Sequence, residues 1–270
     1  MTPQKLLVPI DFSDISRKVI KLAIYLAKKA NLTISLLHVE KNHSDFNAVE
    51  KLKEISGEVK GSAGVPFEFI VRRGNIMNEI AETASGEDYK MAVIGSHGLK
   101  GLREKVFGAD ILKLLKTIPI PVLNIQKDYI LTEDTFRTIL FPASTHESFL
   151  NKIRAVEYLA GLFGSEVQIY TVEKPGSEIS EKLIDNIKKA RKAFELKNIP
   201  HILVKEEPSS FSVGYARQIL DYAKRMNTGL IALMVNPTRE YYYIADADKE
   251  KILTNDKCIP VLASNEKEQN

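Results

Sequence analysis

Two halves of the sequence carry the same succession of short apolar runs, at offsets that stay between 132 and 139. Lys5-Leu6-Leu7-Val8-Pro9-Ile10 ends at Asp11, and Phe136-Arg137-Thr138-Ile139-Leu140-Phe141-Pro142-Ala143 repeats it, proline included, with Ala143 in the place of Asp11. His38-Val39-Glu40-Lys41 is echoed by Thr171-Val172-Glu173-Lys174, Val65-Pro66 by Ile199-Pro200, Met91-Ala92-Val93-Ile94 by Leu230-Ile231-Ala232-Leu233, and Ile120-Pro121-Val122-Leu123 by Ile259-Pro260-Val261-Leu262. A period of this size marks a duplicated domain rather than a short-repeat solenoid. The expected units are residues 1–128 and 135–265, joined by a linker from Lys127 to Thr135.

Within the first unit, apolar runs too short for helices alternate with segments of helical periodicity. Lys5–Ile10, Thr33–Val39, Val65–Val71, Met91–Ile94 and Pro121–Ile125 read as buried strands. Between the first two, Ile15, Val19, Leu22, Ala23, Leu26, Ala27 and Ala30 recur at helical spacing, with Ser13 or Asp14 placed to cap the helix. A charged segment from Phe46 to Ser56 and the stretch Asn75 to Ala84 after Gly74 are two further expected helices. Strands alternating with helices require right-handed crossovers, hence an α/β fold with a parallel sheet covered on both faces. Five strands in the doubly wound order 3-2-1-4-5 put strands one and four side by side, so that Asp11 and the turn after Ile94 face one crevice beyond the strand ends.

That turn is rich in glycine. Gly95-Ser96-His97-Gly98 closes the fourth strand, nine residues separate Gly98 from Gly108, and Gly108-Ala109-Asp110 opens a helix carrying Ile111, Leu112, Leu114 and Leu115. Glycine lets backbone N–H groups approach a ligand, and a helix N-terminus adds unpaired donors and a positive dipole end, so the arrangement suits an anion such as phosphate. Lys100, Arg103 and Lys105 in the intervening loop add positive charge. The alternative reading is structural: two glycines permitting a tight turn and a third starting a helix. Asp11 has the same two readings, ligand contact or hydrogen bonding to the turn that follows it.

The Gly95-x2-Gly98-x9-Gly108 spacing, with Pro9-Ile10-Asp11, His38-Val39 and the closing Pro121-Val122, resembles the universal stress protein family, and both halves look like its domains in tandem. The resemblance implies a five-stranded nucleotide-binding α/β unit in which Pro9, Ile10 and Val39 border an adenine and Asp11 meets the ribose or an ion on the phosphates. Ile94, Gly95, His97, Gly98, Gly108, Ala109 and Asp110 would then line the phosphate side. It also implies ATP, ADP or AMP as ligand, with Mg²⁺ as its companion, and pairing through the fifth strands. Here Ile120–Ile125 and Ile259–Ser264 of one chain could supply that pairing as an intramolecular pseudo-dimer, with a homodimer as a further step. Ala109 stands where the family carries Ser or Thr, and one lost hydrogen bond to a charged group weakens binding by about ten- to a hundredfold. Asp110 competes with a phosphate for the same helix-terminal donors.

The second half lacks the loop chemistry: the same offset places Met234, Pro237 and Ala247 at the three glycine positions, and Tyr241-Tyr242-Tyr243 lies between them. Met and Pro remove both the close approach and the conformational freedom. Composition narrows the remaining options. Lys and Arg number 38 against 35 Asp and Glu, with 44% of residues hydrophobic, an interspersed surface unlike the basic face of a nucleic-acid binder. The single cysteine, Cys258, excludes an internal disulfide and reads as a buried small residue. The five histidines show no metal-ligand spacing, and no apolar run is long enough to span a bilayer, so a cytoplasmic location is expected. Three functions remain: a non-catalytic or very slowly hydrolysing adenine-nucleotide module of stress response, a nucleotide-free interaction or small-molecule module, and a weak ATPase or phosphotransferase. The last finds no P-loop Gly-Lys-Ser/Thr, no evident paired acids for a metal and no positioned base for water, and no residue stands out as catalytic.

Overall fold

A computed structural model of the chain describes residues 4–40, 47–59, 64–86, 88–96, 107–173, 179–208, 215–236 and 246–268, with backbone alone at 107–109. The first half runs β1 (Lys5–Pro9), α1 (Asp14–Ala30), β2 (Thr33–Glu40), α2 (Ala48–Glu58), β3 (Phe67–Arg73), α3 (Ile76–Ala84), β4 (Tyr89–Gly95), α4 (Phe107–Leu115) and β5 (Val122–Ile125). The second runs β6 (Thr138–Pro142), α5 (Phe149–Phe163), β7 (Glu166–Val172), α6 (Glu181–Leu196), β8 (His201–Glu206), α7 (Tyr215–Arg225), β9 (Leu230–Met234), α8 (Asp246–Leu253) and β10 (Val261–Ser264). All ten strands join one sheet in the order β3-β2-β1-β4-β5-β10-β9-β6-β7-β8.

The apolar runs explain this layering. Strands β5, β9 and β10 are buried along their whole length, as are Leu6–Pro9 of β1; their side chains are apolar on both faces except Asn124 and Ser264, which are buried as well. One core lies beneath α1, α2, α5 and α6, the other beneath α3, α4, α7 and α8. The outermost strands β3 and β8 are half-exposed and carry charges at their ends.

Local chemistry sets the boundaries. Pro66 and Pro200 have no N–H to donate, so β3 and β8 start one residue later, while the two proline carbonyls still accept from Ile34 N (2.9 Å) and Val167 N (2.8 Å). The third strand therefore begins at Phe67 instead of the expected Val65. Helix α3 is capped by Asn75, whose side chain accepts from Met77 N (3.0 Å) and Asn78 N (3.2 Å). Ser13 occupies the N-cap position of α1 but makes no side-chain cap; its hydroxyl turns back to Asp11. The strand register corrects one pairing of the repeat. Ile10 N donates to Leu37 O (2.8 Å) and Ala143 N to Tyr170 O (2.7 Å), so Ala143 matches Ile10, and Ser144, not Ala143, stands where the first half has Asp11.

All pairings are parallel except one: β10 runs antiparallel to β5, with Leu262 opposite Leu123. Between the halves Tyr25 of α1 stacks on Phe163 of α5 at 5.5 Å between ring centroids, and Phe163 stacks in turn on Phe136 of its own half at 4.3 Å. The segment 127–135 packs down as well, with Tyr129 buried and its hydroxyl on Thr135 Oγ1 (3.3 Å). Cys258 is half-buried in a left-handed turn (φ 54°).

Candidate functional site: two unequal strand-end crevices

In the first half, the carboxyl ends of β2, β1 and β4 lie side by side, since Pro9 pairs with Leu37 and Leu7 with Ala92. This brings the Asp11 turn next to Gly95, with Val39 one strand away. Pro9, Ile10 and Ile94 are buried, so only their backbone is placed to meet a ligand, whereas Asp11 and Val39 are half-exposed. His97 and Gly98 lie outside the described residues. Gly108 and Ala109 form part of α4, and Asp110, half-buried, lies in its first turn.

The Asp11 carboxylate organises its own turn. Its Oδ1 accepts from Ser13 N (3.0 Å), the Ser13 hydroxyl and the Ser16 hydroxyl (3.2 Å). The bend forces Phe12 into the left-handed region (φ 61°), a conformation costing on the order of 1–3 kcal/mol for a non-glycine residue and recurrent at functional sites. Its ring rests on His38, 4.6 Å between centroids, and His38 Nδ1 lies 2.8 Å from Ile10 O. A carbonyl can only accept, so Nδ1 carries the proton. Sequence reasoning gave Phe12 and His38 no part in the crevice; the histidine ending the second strand was the available signal.

Gly95 is glycine for a packing reason. A Cβ there would lie 2.6 Å from Ile15 Cδ1 and 2.9 Å from Cγ1, so the missing side chain lets the first turn of α1 settle on the end of β4. Ser96 then anchors β4 to β5, its N–H donating to Ile125 O at 2.9 Å and its hydroxyl at 3.2 Å.

The equivalent place in the second half is filled by its own side chains. Lys249 stands at the position of Asp110, 139 residues on. It is 1% exposed, and its ammonium donates to Asn236 O (2.6 Å) and Val235 O (3.2 Å), just past β9. His146 Nε2 donates to the same Asn236 carbonyl (2.6 Å), leaving Nδ1 to accept from the Ser144 hydroxyl (2.8 Å). Burial, together with the charges of Lys152 and Lys249, drives the His146 pKa down to about 4. Lys152, also 1% exposed, donates to Pro142 O at 2.5 Å and sits 4.2 and 4.6 Å from the Phe141 and Phe149 ring centres. Desolvation lowers its pKa to about 7. The space left among Pro142, Ser144, His146, Lys152 and Met234 is about 10 Å³, near the minimum for one water. Sequence pattern could not announce these lysines, because a lysine in a helical segment reads as solvated. Met234 is buried, and Pro237 and Tyr241–Tyr243 lie outside the described residues.

A groove of about 360 Å³ opens elsewhere, beside β8 and α7, lined by Glu206, Glu207, Gln218, Asp221 and Arg225. Three carboxylates against one guanidinium disfavour a phosphate there. Among the described residues no cluster of three or more His, Cys, Asp or Glu is arranged to hold a metal, and no helix is long and apolar enough to cross a membrane.

The fold and its strand-end turns define a doubly wound α/β protein of the kind that uses such crevices for ligands, here in two unequal copies. A sequence model described as the universal stress protein family matches residues 3–126. The universal stress protein YxiE of Bacillus subtilis (strain 168) is 30% identical over 145 residues, covering 45% of this chain and 98% of that protein. The chain belongs to the universal stress protein family. Among solved structures, a universal stress protein from Archaeoglobus fulgidus superposes with a TM-score of 0.73 at 18% identity, covering 98% of this chain and 99% of the other. A functionally unknown protein from Pseudomonas aeruginosa PAO1 gives 0.62 at 17% identity, over 98% and 93%. These likenesses extend the shared fold across both halves.

Proposed function

We propose that the chain is a non-catalytic stress-response module that binds one adenine nucleotide, ATP or its shorter relatives ADP and AMP, in the crevice of residues 1–128. The observation that carries this reading is the meeting of the Asp11 turn with Gly95 at adjacent strand ends, in the half of the chain that the family's sequence model matches. Pro9, Ile10 and Val39 border the base, Asp11 faces the ribose, and Ile94, Gly95, His97, Gly98, Gly108, Ala109 and Asp110 surround the phosphates. The Phe12–His38 ring pair gives the base side an apolar, aromatic wall. Mg²⁺ would arrive on the phosphates with most of its shell as water, since Asp11 Oδ1 is already engaged by three donors.

Residues 135–265 form a second domain whose crevice is closed by Lys249 and His146, and the two domains act as an intramolecular pseudo-dimer through β5 and β10. A cytoplasmic location fits this role. A second reading, a nucleotide-free interaction module, draws support from the saturation of Asp11 Oδ1 and from Ala109. Calorimetric titration with ATP, ADP and AMP, with and without Mg²⁺, followed by a turnover assay, separates the readings. Binding without turnover is the expected result. No heat at millimolar nucleotide favours the interaction module, and turnover removed by Asp11→Ala favours the enzyme.

A further inference from the structure

Helix α4 follows in sequence the crevice-side end of β4 and ends near the strand ends of the other half. Its first turn holds Gly108–Asp110. Its last carbonyls face the segment just after β10, because Val122 at the start of β5 pairs with Ala263 near the end of β10. The end of α4 has a specific deficit. The Leu115 carbonyl would take its hydrogen bond from the residue four further on, and that residue is Pro119, which has no N–H.

Asn265 supplies the missing donor from the other half. Its Nδ2 donates to Leu115 O at 2.9 Å and, more closely, to Ile118 O. The residue is 1% exposed and fully engaged: Oδ1 accepts from Lys267 N (2.7 Å), its N–H donates to Glu268 Oε1 (2.9 Å), and its carbonyl accepts from Asn151 Nδ2 (2.8 Å). Glu266 N, next in sequence, donates to the Asn236 side chain (2.9 Å), whose backbone carbonyl receives His146 and Lys249. The arrangement is reciprocal. Gln126, 139 residues before Asn265, donates to Leu253 O (3.0 Å) at the end of α8 and to Ile259 O (3.2 Å), with Asn124 Nδ2 adding a second donor to Leu253 O (2.9 Å).

We propose that Asn265 is a positioning residue for the crevice of the opposite half: by closing the proline-orphaned end of α4 it fixes the helix whose first turn faces the nucleotide phosphates. This rests on the nucleotide reading above. Without Asn265 the buried Leu115 carbonyl has no donor among the contacts described, and a nine-residue helix is too short to hold its register without its ends. The second half, whose own crevice is closed, thus acts as a permanently docked partner that completes the first.

The test uses the full chain and four variants. Asn265→Ala removes both bonds, Asn265→Leu removes them while filling the same space, Asn265→Gln restores an amide of the kind found at Gln126, and Asn186→Ala is a control. Asn186 is a buried amide of α6 that likewise bridges two carbonyls, those of Ser144 and His146, neither of them in α4. The readouts are hydrogen exchange of the α4 amides at 111–115, with that of Lys116, which donates to Leu112 O, and calorimetric ATP affinity. Asn265→Ala is expected to speed exchange in α4 and weaken ATP binding at least about fivefold. Asn265→Gln should recover part of both, and Asn186→Ala should lower the melting temperature while leaving both at the wild-type level. Unchanged α4 exchange in Asn265→Ala, or an equal loss of affinity in Asn186→Ala, overturns the proposal. If Asn265→Ala fails to fold, Asn265→Leu decides: it fills the same space without a donor, and wild-type exchange and affinity in it would overturn the proposal. A wild-type chain that binds no ATP overturns the nucleotide reading and this role with it, an outcome distinct from a wild-type chain that binds and a variant that binds equally well.

Discussion

At Gly95, one hydrogen atom in place of a side chain decides how closely α1 approaches the sheet. Gly95→Ala would press a methyl group into Ile15 and is expected to cost roughly 1–3 kcal/mol in urea unfolding. Pairing it with Ile15→Ala should recover part of that loss, and strictly additive costs would show that the two sites do not touch. Lys152 tests the second half in the same way. Burial lowers its pKa from 10.5 to about 7, so between those values the unfolded chain binds a proton that the native chain has shed. Native stability therefore rises with pH across that window, by up to about 1.4 kcal/mol per unit from this group. Lys152→Met is expected to exceed the wild type most at pH 7, with the advantage shrinking by pH 9; a pH-independent difference would place the ammonium in a better-compensated setting. Neither property is visible in sequence. Gly95 signals a turn but not the isoleucine above it, and Lys152 sits at a position that helical periodicity treats like any other.

Among the elements, strands were the more legible. Their apolar runs are set by burial on two faces, and their alternation with helical segments dictated an α/β fold; the common doubly wound order supplied the arrangement of the first five strands, which the sheet has, with β1 beside β4. The ends of α3 were legible, Asn75 being its cap, but other boundaries were less so where a hydrogen bond, not hydrophobicity, fixes them: the proline before β3 and the Ser13 hydroxyl that serves Asp11 in place of its helix. The helix ends at the seam are of the same kind. Lys116, following α4, donates to Asp246 at the start of α8 (2.7 Å), and Lys249 adds a longer contact (3.4 Å). Burial works to raise the Asp246 pKa, but the Lys116 hydrogen bond and the charges of Lys249 and Lys116 outweigh it and hold the carboxyl below its ordinary range. A depressed carboxylate contributes stability above its unfolded pKa and loses it as pH falls through the folded one. Asp246→Asn is thus expected to lower the melting temperature at pH 7 and to match the wild type once the carboxylate is protonated in both states, near pH 2. A deficit that persists there would assign the effect to packing.

For the molecule as a whole, duplication gives two copies of one scaffold with opposite solutions at the strand ends. Where the first has glycines and Asp110, the second has Met234 and a lysine bonded to its own backbone. Sequence comparison of the halves revealed the loss of the glycines; it could not reveal that side chains had moved into the vacated space, since that depends on how a helix sits over a strand end. The shared sheet, the Tyr25–Phe163 stack and the reciprocal amide caps also tie the halves together. Calorimetric unfolding should therefore show a single transition, and two resolved transitions would mean that the seam contributes little. The central claim is that one crevice is competent and the other closed. Equilibrium dialysis of the full chain against labelled ATP tests it most directly: the expected stoichiometry is one nucleotide per chain, and either two or none would contradict the account.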